Sequence, residues 1–436
     1  MSNSNKMSVT QLTVLTAVNM MGSGIIMLPS KLAQVGTMSI LSWIVTALGS
    51  LALAYVFAMC GRFSKRSGGM SGYTSYAFGK SGAFMCSFTY SISLVIANVA
   101  IAITCVGYLQ EFLEVAFSPL EITGCAIAIV WITTLANFGG AKITGAIGGI
   151  TVWGVIIPVV TLSVVGWFWF DVDMYIAAWN PHNLPFVEGV SASIAMTLWA
   201  FLGLESACAN SSAVENPEKN VPIAVLGGTL GAAVVYILST NVCAGIVDNA
   251  ALAESTAPFA LVWSQLLGGW AGKAVAFLSV VACAGSLLGW QFTVAQSFKD
   301  SADEKMFPSL FSSVSERGAP IKGMIVLAIV QTLMSLMTIS PDLNAQFEAI
   351  VNLAVVTNLI PYILCMAAIF IIQDLAKVPA AKAKRTNTLA FIGAVYSFYA
   401  LYGSGYEAMM WGGIVTFFGW TAYGFIAKYH ENVVYQ

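Results

Sequence analysis

A run of about 20 residues without a formal charge is long enough to cross ~30 Å of hydrocarbon as one helix, and this 436-residue chain is built almost entirely of such runs. A charged side chain at the bilayer centre costs at least ~2.5 kcal/mol, so windows free of Asp, Glu, Lys and Arg locate membrane helices. They cover residues 7–30, 32–61, 81–110, 122–141, 143–170, 220–247, 274–298, 323–341, 349–373, 386–406 and 408–427. A further window, 189–214, is broken once, by Glu205. Residues 255–272 are also charge-free, but Pro258 near the start and Gly268-Gly269 near the end make a re-entrant or surface segment the better reading. The expectation is an all-α membrane protein with twelve transmembrane helices.

Composition agrees, and it removes several function classes. Charged residues make up 9% of the chain, against roughly 25% in a soluble domain. A formal charge of −2 gives no basic surplus for nucleic acid. His182 and His430 are the only histidines, so a histidine metal cluster or a Ser/His/Asp triad has almost no material. The eight cysteines form no Cys-x-x-Cys pair and sit mostly in apolar stretches, where a small buried thiol is the ordinary reading. With no nucleophile–base pair, an enzyme is not expected, nor is a cofactor or metal.

An even number of spans puts both termini on one side, and Lys/Arg bias selects which. With the N-terminus in the cytoplasm, only Lys31 and Lys273 of the 18 basic residues lie outside, so both termini are expected to be cytoplasmic. The first window runs on without a small-residue cleavage site and reads as a retained helix. The acids Glu111, Glu114, Glu121, Asp171, Asp173, Glu188, Asp248, Glu254, Asp342, Glu348 and Glu407 fall at the outer ends. They either concentrate cationic solutes there or fill loops from which Lys and Arg are excluded. Lys299 to Lys305 reads as a solvated inner loop, and Lys377 to Arg385 as a basic anchor on the inner leaflet.

Two windows carry helix-breaking features at similar depth. The first contains Gly22-Ser23-Gly24, and the sixth contains Gly203 two residues before Glu205. Each Gly costs a helix up to ~1 kcal/mol relative to Ala. Five spans separate the two starts, so the broken helices run in opposite directions. Antiparallel repeats with paired discontinuous helices mark the substrate site of many secondary transporters, because unwound backbone offers free N–H and C=O groups. Small-residue helix packing is the alternative for Gly22-Ser23-Gly24 alone, and Glu205 favours the site reading.

The stretches Asn19-Met20-Met21-Gly22-Ser23-Gly24-Ile25 and Leu198-Trp199-Ala200-Phe201-Leu202-Gly203-Leu204-Glu205-Ser206-Ala207, with Glu215-Asn216-Pro217-Glu218-Lys219-Asn220-Val221-Pro222-Ile223-Ala224, resemble the amino acid–polyamine–organocation transporters over essentially the whole chain. Within them the chain is similar to the basic amino acid/polyamine antiporters. The resemblance implies a five-plus-five inverted repeat with discontinuous helices 1 and 6 and two extra helices. On this sequence that divides a single domain, 1–436, into 7–170, 189–373 and 386–428. It also implies sodium-independent exchange of putrescine for ornithine across the bacterial inner membrane by alternating access, with proton-linked putrescine uptake as a second mode. A lysine–cadaverine exchanger and a proton-coupled amino acid importer stay open as alternatives, as does assembly into homo-oligomers.

The same resemblance assigns substrate contacts to Asn19, Gly22, Ser23, Gly24 and Ile25 at the first break, and to Trp199, Leu202 and Glu205 at the second. Tyr90 and Asn98 of the third span, Trp290 of the eighth and Tyr362 of the tenth complete the set. Leu94, Ile101 and Ala354 depart from arginine–agmatine relatives, which argues against arginine as ligand. A carboxylate in hydrocarbon must be protonated, hydrated or paired, and no mid-span Lys or Arg can pair with Glu205. A substrate ammonium would satisfy it, and Glu205 could take a proton when the site is empty. The rings of Tyr90, Trp199, Trp290 and Tyr362 are expected to box the cation. Tyr236, Trp263, Trp270 and Trp411 are assigned to packing or the interfacial belt.

Overall fold

In a computed structural model the described residues are 8–22, 24–66, 68–205, 216–340 and 342–429, and among them there are helices and turns but no strand. The elements in chain order are α1 (Val9–Met20), α2 (Leu28–Ala33), α3 (Ser39–Phe63), α4 (Met70–Leu113), α5 (Pro119–Ala136), α6 (Ala141–Thr151), α7 (Trp153–Val165), α8 (Val172–Ala177), α9 (Phe186–Ala192) and α10 (Ile194–Trp199). There follow α11 (Pro217–Ala244), α12 (Asn249–Glu254), α13 (Pro258–Leu267), α14 (Gly269–Asp303), α15 (Ile321–Met337), α16 (Leu343–Leu375), α17 (Ala380–Gly403) and α18 (Tyr406–Tyr429).

Among the described residues, seven helical stretches are long and apolar enough to cross a membrane: Ser39–Phe63, Met70–Leu113, Pro119–Gly139, Ala141–Trp169, Lys219–Ala244, Gly269–Asp303 and Leu343–Leu375. Among the described residues the windows 7–30 and 189–214 contribute only short helices: the first is interrupted between Met20 and Leu28, the second at Ser193 and again after Trp199. The segment read as re-entrant forms α13, whose 10 residues rise only ~15 Å and fall short of the hydrocarbon thickness. Gly268, at φ +93°, turns the chain from α13 into α14.

Local chemistry sets the helix starts. Ser8 and Gln11 form a reciprocal cap on α1, and Ser118 and Glu121 one on α5. Asp171, Asp248 and Asp342 each accept backbone N–H groups at the start of α8, α12 and α16. Four of the acids expected at the outer ends therefore have a definite local task, which is to satisfy orphan donors at helix N-termini. Outside the long helices, burial pushes the Tyr175 phenol up to about 12. It stays a donor, to Asn241 Oδ1 at 2.6 Å.

The long helices α4 and α16 run against each other through the centre, with α14 on the other flank of α4. Away from this axis, Trp43, Phe201 and Tyr236 pack with ring centroids 5.4–6.1 Å apart, so Tyr236 serves packing. Trp270 and Trp411 lie exposed on the outer surface of the bundle. Lys299 pairs with Asp303 of its own helix at 2.6 Å, and the Arg385 guanidinium sits 5.4 Å from the Tyr55 ring. Six of the described cysteines are buried and Cys125 is half-buried; Cys208 lies outside the described residues.

Candidate functional site

α1 stops at Met20, and the described residues between it and Leu28 form no regular helix; Pro29 stands in the first turn of α2. Gly22 sits against α14, so close that an added Cβ would lie 3.1 Å from Ser286 Oγ. A side chain there would be tight, needing the Ser286 hydroxyl to give by a few tenths of an ångström. Gly24 faces the second break, with its Cβ direction 3.6 Å from Trp199 Nε1. Ser23 lies outside the described residues, as does the side chain of Asn19.

The second break follows α10. From Ala200 to Glu205 the chain is a series of turns, and Gly203 adopts φ +104°, a conformation that costs other residues about 1–2 kcal/mol. This turn curls the backbone around the carboxylate: the N–H of Gly203 donates to Glu205 Oε2 at 3.2 Å. Two phenols complete the cradle. Tyr90 of α4 donates to Oε1 at 2.9 Å and Tyr362 of α16 donates to Oε2 at 2.5 Å. Glu205 is 6% exposed and has no Lys or Arg partner among the described residues. The tyrosine hydroxyls thus orient the carboxylate, and Tyr90 also lines the cavity described next.

A cavity of about 50 Å³ opens beside this carboxylate, enough for a few water-sized groups. Gly22 and Gly24 come to its wall from the first break, Trp199, Leu202, Gly203 and Glu205 from the second, and Trp290 from α14. From α4 the wall takes Tyr90, Ser93, Leu94, Ala97 and Ile101, a stripe at the three- and four-residue spacing of one helix face. Asn98 is off that stripe. It is fully buried, its amide has no hydrogen-bond partner among the described residues, and it does not reach the wall. Ile25 is likewise fully buried away from the wall, and Tyr362, off the wall itself, meets the site through Glu205. Ala354, also fully buried, is not among the wall residues.

Met20, Ser93, Ala97, Ser286 and Asn358 were not among the residues expected at the site. Two of these had an available signal. Ser93 is one turn after Tyr90, and Asn358 is one turn before Tyr362, so each shares a helix face with a residue already chosen. They meet across the cavity wall, Ser93 Oγ lying 3.2 Å from Asn358 Oδ1. The Trp199 indole N–H, by contrast, is buried without a hydrogen-bond partner among the described residues. The chemistry on offer is one carboxylate held by three donors, two indole rings, and an aliphatic wall of Met20, Leu94, Ile101 and Leu202. Such a wall suits a small cation with a methylene chain.

The family model described as amino acid permease matches residues 7–425. The chain belongs to the amino acid permease family. Two permease relatives, each named putrescine transporter PotE, bracket it in similarity. The one from Escherichia coli strain K12 is 64% identical over 428 residues, covering 98% of both chains. The one from Haemophilus influenzae is 61% identical over 424 residues, covering 97% of this chain and 98% of the relative. A more distant permease, named cadaverine/lysine antiporter, from Escherichia coli strain K12, is 34% identical over 414 residues, covering 93% and 91%. The members matched are transporters, and this chain is a transporter of the same family and not an enzyme.

Proposed function

We propose that this permease carries putrescine, exchanging it for ornithine across the inner membrane, with proton-linked putrescine uptake as a second mode. The observation that carries the reading is Glu205: a buried carboxylate on the wall of a small cavity between two helix breaks, with no cationic partner among the described residues. An alkyl ammonium entering the cavity supplies the missing charge. The relatives named putrescine transporter, at 61–64% identity, favour the four-carbon diamine over the five-carbon one in the name of the 34% identical relative.

In this reading Glu205 binds the substrate amine and takes a proton when the site empties. Trp199 and Trp290 cover the ligand, Tyr90 and Tyr362 aim the carboxylate, and Leu202 supports the methylenes. N–H groups from Ser23 to Ile25, with Asn19 and Gly22 shaping the break, receive the ornithine carboxylate at a half-helix N-terminus; Asn98 stands behind. The surrounding frame is twelve helices in a five-plus-five inverted repeat, 7–170 and 189–373, with 386–428 appended and both termini in the cytoplasm. The helix breaks after α1 and after α10 support that frame.

The test is counterflow: proteoliposomes loaded with ornithine, lysine or arginine and presented with labelled putrescine, cadaverine or agmatine. Putrescine accumulation driven by internal ornithine is expected. Accumulation driven only by lysine–cadaverine exchange, or by a proton gradient without internal amino acid, would replace the reading.

A further inference from the structure

Putrescine and ornithine share more than one amine. Removing the carboxylate of ornithine leaves two ammonium groups on a four-carbon chain, so a site serving both can read the same nitrogen–nitrogen spacing in each. This inference rests on the proposed substrates, and it concerns the end of the ligand that Glu205 does not hold.

The cavity wall offers one further built polar group, the Ser93–Asn358 pair. Both residues are about 2% exposed, both border the cavity, and their side-chain oxygens are 3.2 Å apart. The Ser93 hydroxyl also lies within 2.8 Å of the Tyr90 carbonyl, so its single proton is committed to acceptors and its lone pairs are open. Each member sits one helical turn from a tyrosine that holds Glu205, three residues along α4 and four along α16. At ~1.5 Å per residue that offset is about 4.5–6 Å, a length comparable to a four-carbon diamine. The pair is neutral, so it can take an ammonium without competing for the charge of Glu205. Between the two ends the wall is aliphatic, through Leu94, Ala97 and Ile101.

We propose that Ser93 and Asn358 form the subsite for the second ammonium, accepting from the far amine of a diamine and from the α-ammonium of a basic amino acid, and so set the chain length the transporter prefers. The ornithine carboxylate goes separately to the backbone of the first break. An amide oxygen and a hydroxyl are a weaker cation site than a carboxylate, which suits a carrier that must release its ligand on both sides.

Butylamine, which is putrescine without its second nitrogen, isolates the subsite. Binding of putrescine, butylamine and cadaverine to the full-length purified protein would be measured for the unaltered chain and for Asn358→Leu, Ser93→Ala and Asn358→Asp. The unaltered chain is expected to prefer putrescine over butylamine by about tenfold or more. In Asn358→Leu and, less fully, in Ser93→Ala this preference collapses while butylamine affinity is kept, and the preference for putrescine over cadaverine narrows with it. In Asn358→Asp the preference over butylamine widens by about tenfold, because a carboxylate now faces the second ammonium. An unchanged putrescine-to-butylamine ratio in the folded Leu and Ala variants overturns the subsite. Failure of the underlying substrate reading looks different: putrescine and butylamine would then both be indifferent to Glu205→Gln.

Discussion

The Tyr362 hydroxyl donates to Glu205 Oε2 at 2.5 Å, joining the middle of α16 to the turn that follows α10. With Tyr90 on the other oxygen at 2.9 Å, the carboxylate is fixed from two long helices that frame the cavity. A hydrogen bond to a charged group contributes ~1.5–3 kcal/mol, so this pair decides where the acid points before any ligand arrives.

Removing either phenol should therefore weaken the site without emptying it. Tyr362→Phe is expected to raise the putrescine concentration needed for half-maximal uptake by about tenfold. Tyr90→Phe acts in the same direction and less strongly, since its bond is longer. Uptake kinetics in proteoliposomes check this, and half-maximal concentrations unchanged in both variants would mean that the hydroxyls hold nothing that matters to transport.

The glycines of the two breaks should respond differently to substitution. At Gly24 an added Cβ meets only ordinary contacts beyond 3.5 Å, so Gly24→Ala should be mild, whereas Gly24→Val fills the cavity and should abolish ornithine binding. Ser23→Ala leaves the backbone free and should keep ornithine binding. Gly203→Ala meets a strained φ of +104° and should cost about 1–2 kcal/mol of stability as well as displacing Glu205. Thermal unfolding together with ornithine binding separates the cases.

Lys31 and Glu348 form an ion pair at 3.1 Å in which Lys31 is nearly enclosed and Glu348 is 44% exposed. The asymmetry gives a sign. Glu348→Ala strands a buried ammonium whose other contact is Gln34 at 3.3 Å, and should cost up to ~3 kcal/mol. Lys31→Met leaves a carboxylate that water can reach, and should cost ~1 kcal/mol or less. Equal losses of thermal stability in the two variants would contradict this.

Exchange of external ornithine for internal putrescine moves one extra positive charge outward. An elementary charge is worth ~2.3 kcal/mol per 100 mV, so an inside-negative potential should oppose putrescine export and favour its uptake. Proteoliposomes clamped with potassium and valinomycin at two potentials test it: end-point gradients should differ by more than tenfold per 100 mV. Gradients indifferent to the clamp would require a proton carried with the exchange.

Much of this site was legible from spacing and charge. The Gly22/Gly24 pair and Gly203 beside Glu205 pointed to the two breaks, because unwound backbone in hydrocarbon is tolerated only where it lines a cavity. The lone Glu205 marked the carboxylate for the same reason. What spacing could not give was direction. Tyr90 and Tyr362 were readable as rings, but whether a face or a hydroxyl meets the site depends on how α4 and α16 pack. Asn98 differs by one residue from Ala97, and that ~100° of rotation takes it off the wall stripe. Ser93 and Asn358 escaped attention because small polar residues are common in packed membrane helices; only their meeting across the cavity singles them out.

The central claim is that Glu205 holds the substrate amine. Glu205→Gln keeps the shape, and its amide still accepts from one tyrosine, but the charge is gone. Equilibrium binding of putrescine to the purified protein should weaken by well over tenfold, since removing one partner of a buried ion pair costs ~3 kcal/mol or more, and Glu205→Asp should restore part of it. Putrescine affinity in Glu205→Gln equal to that of the unaltered chain would contradict the account.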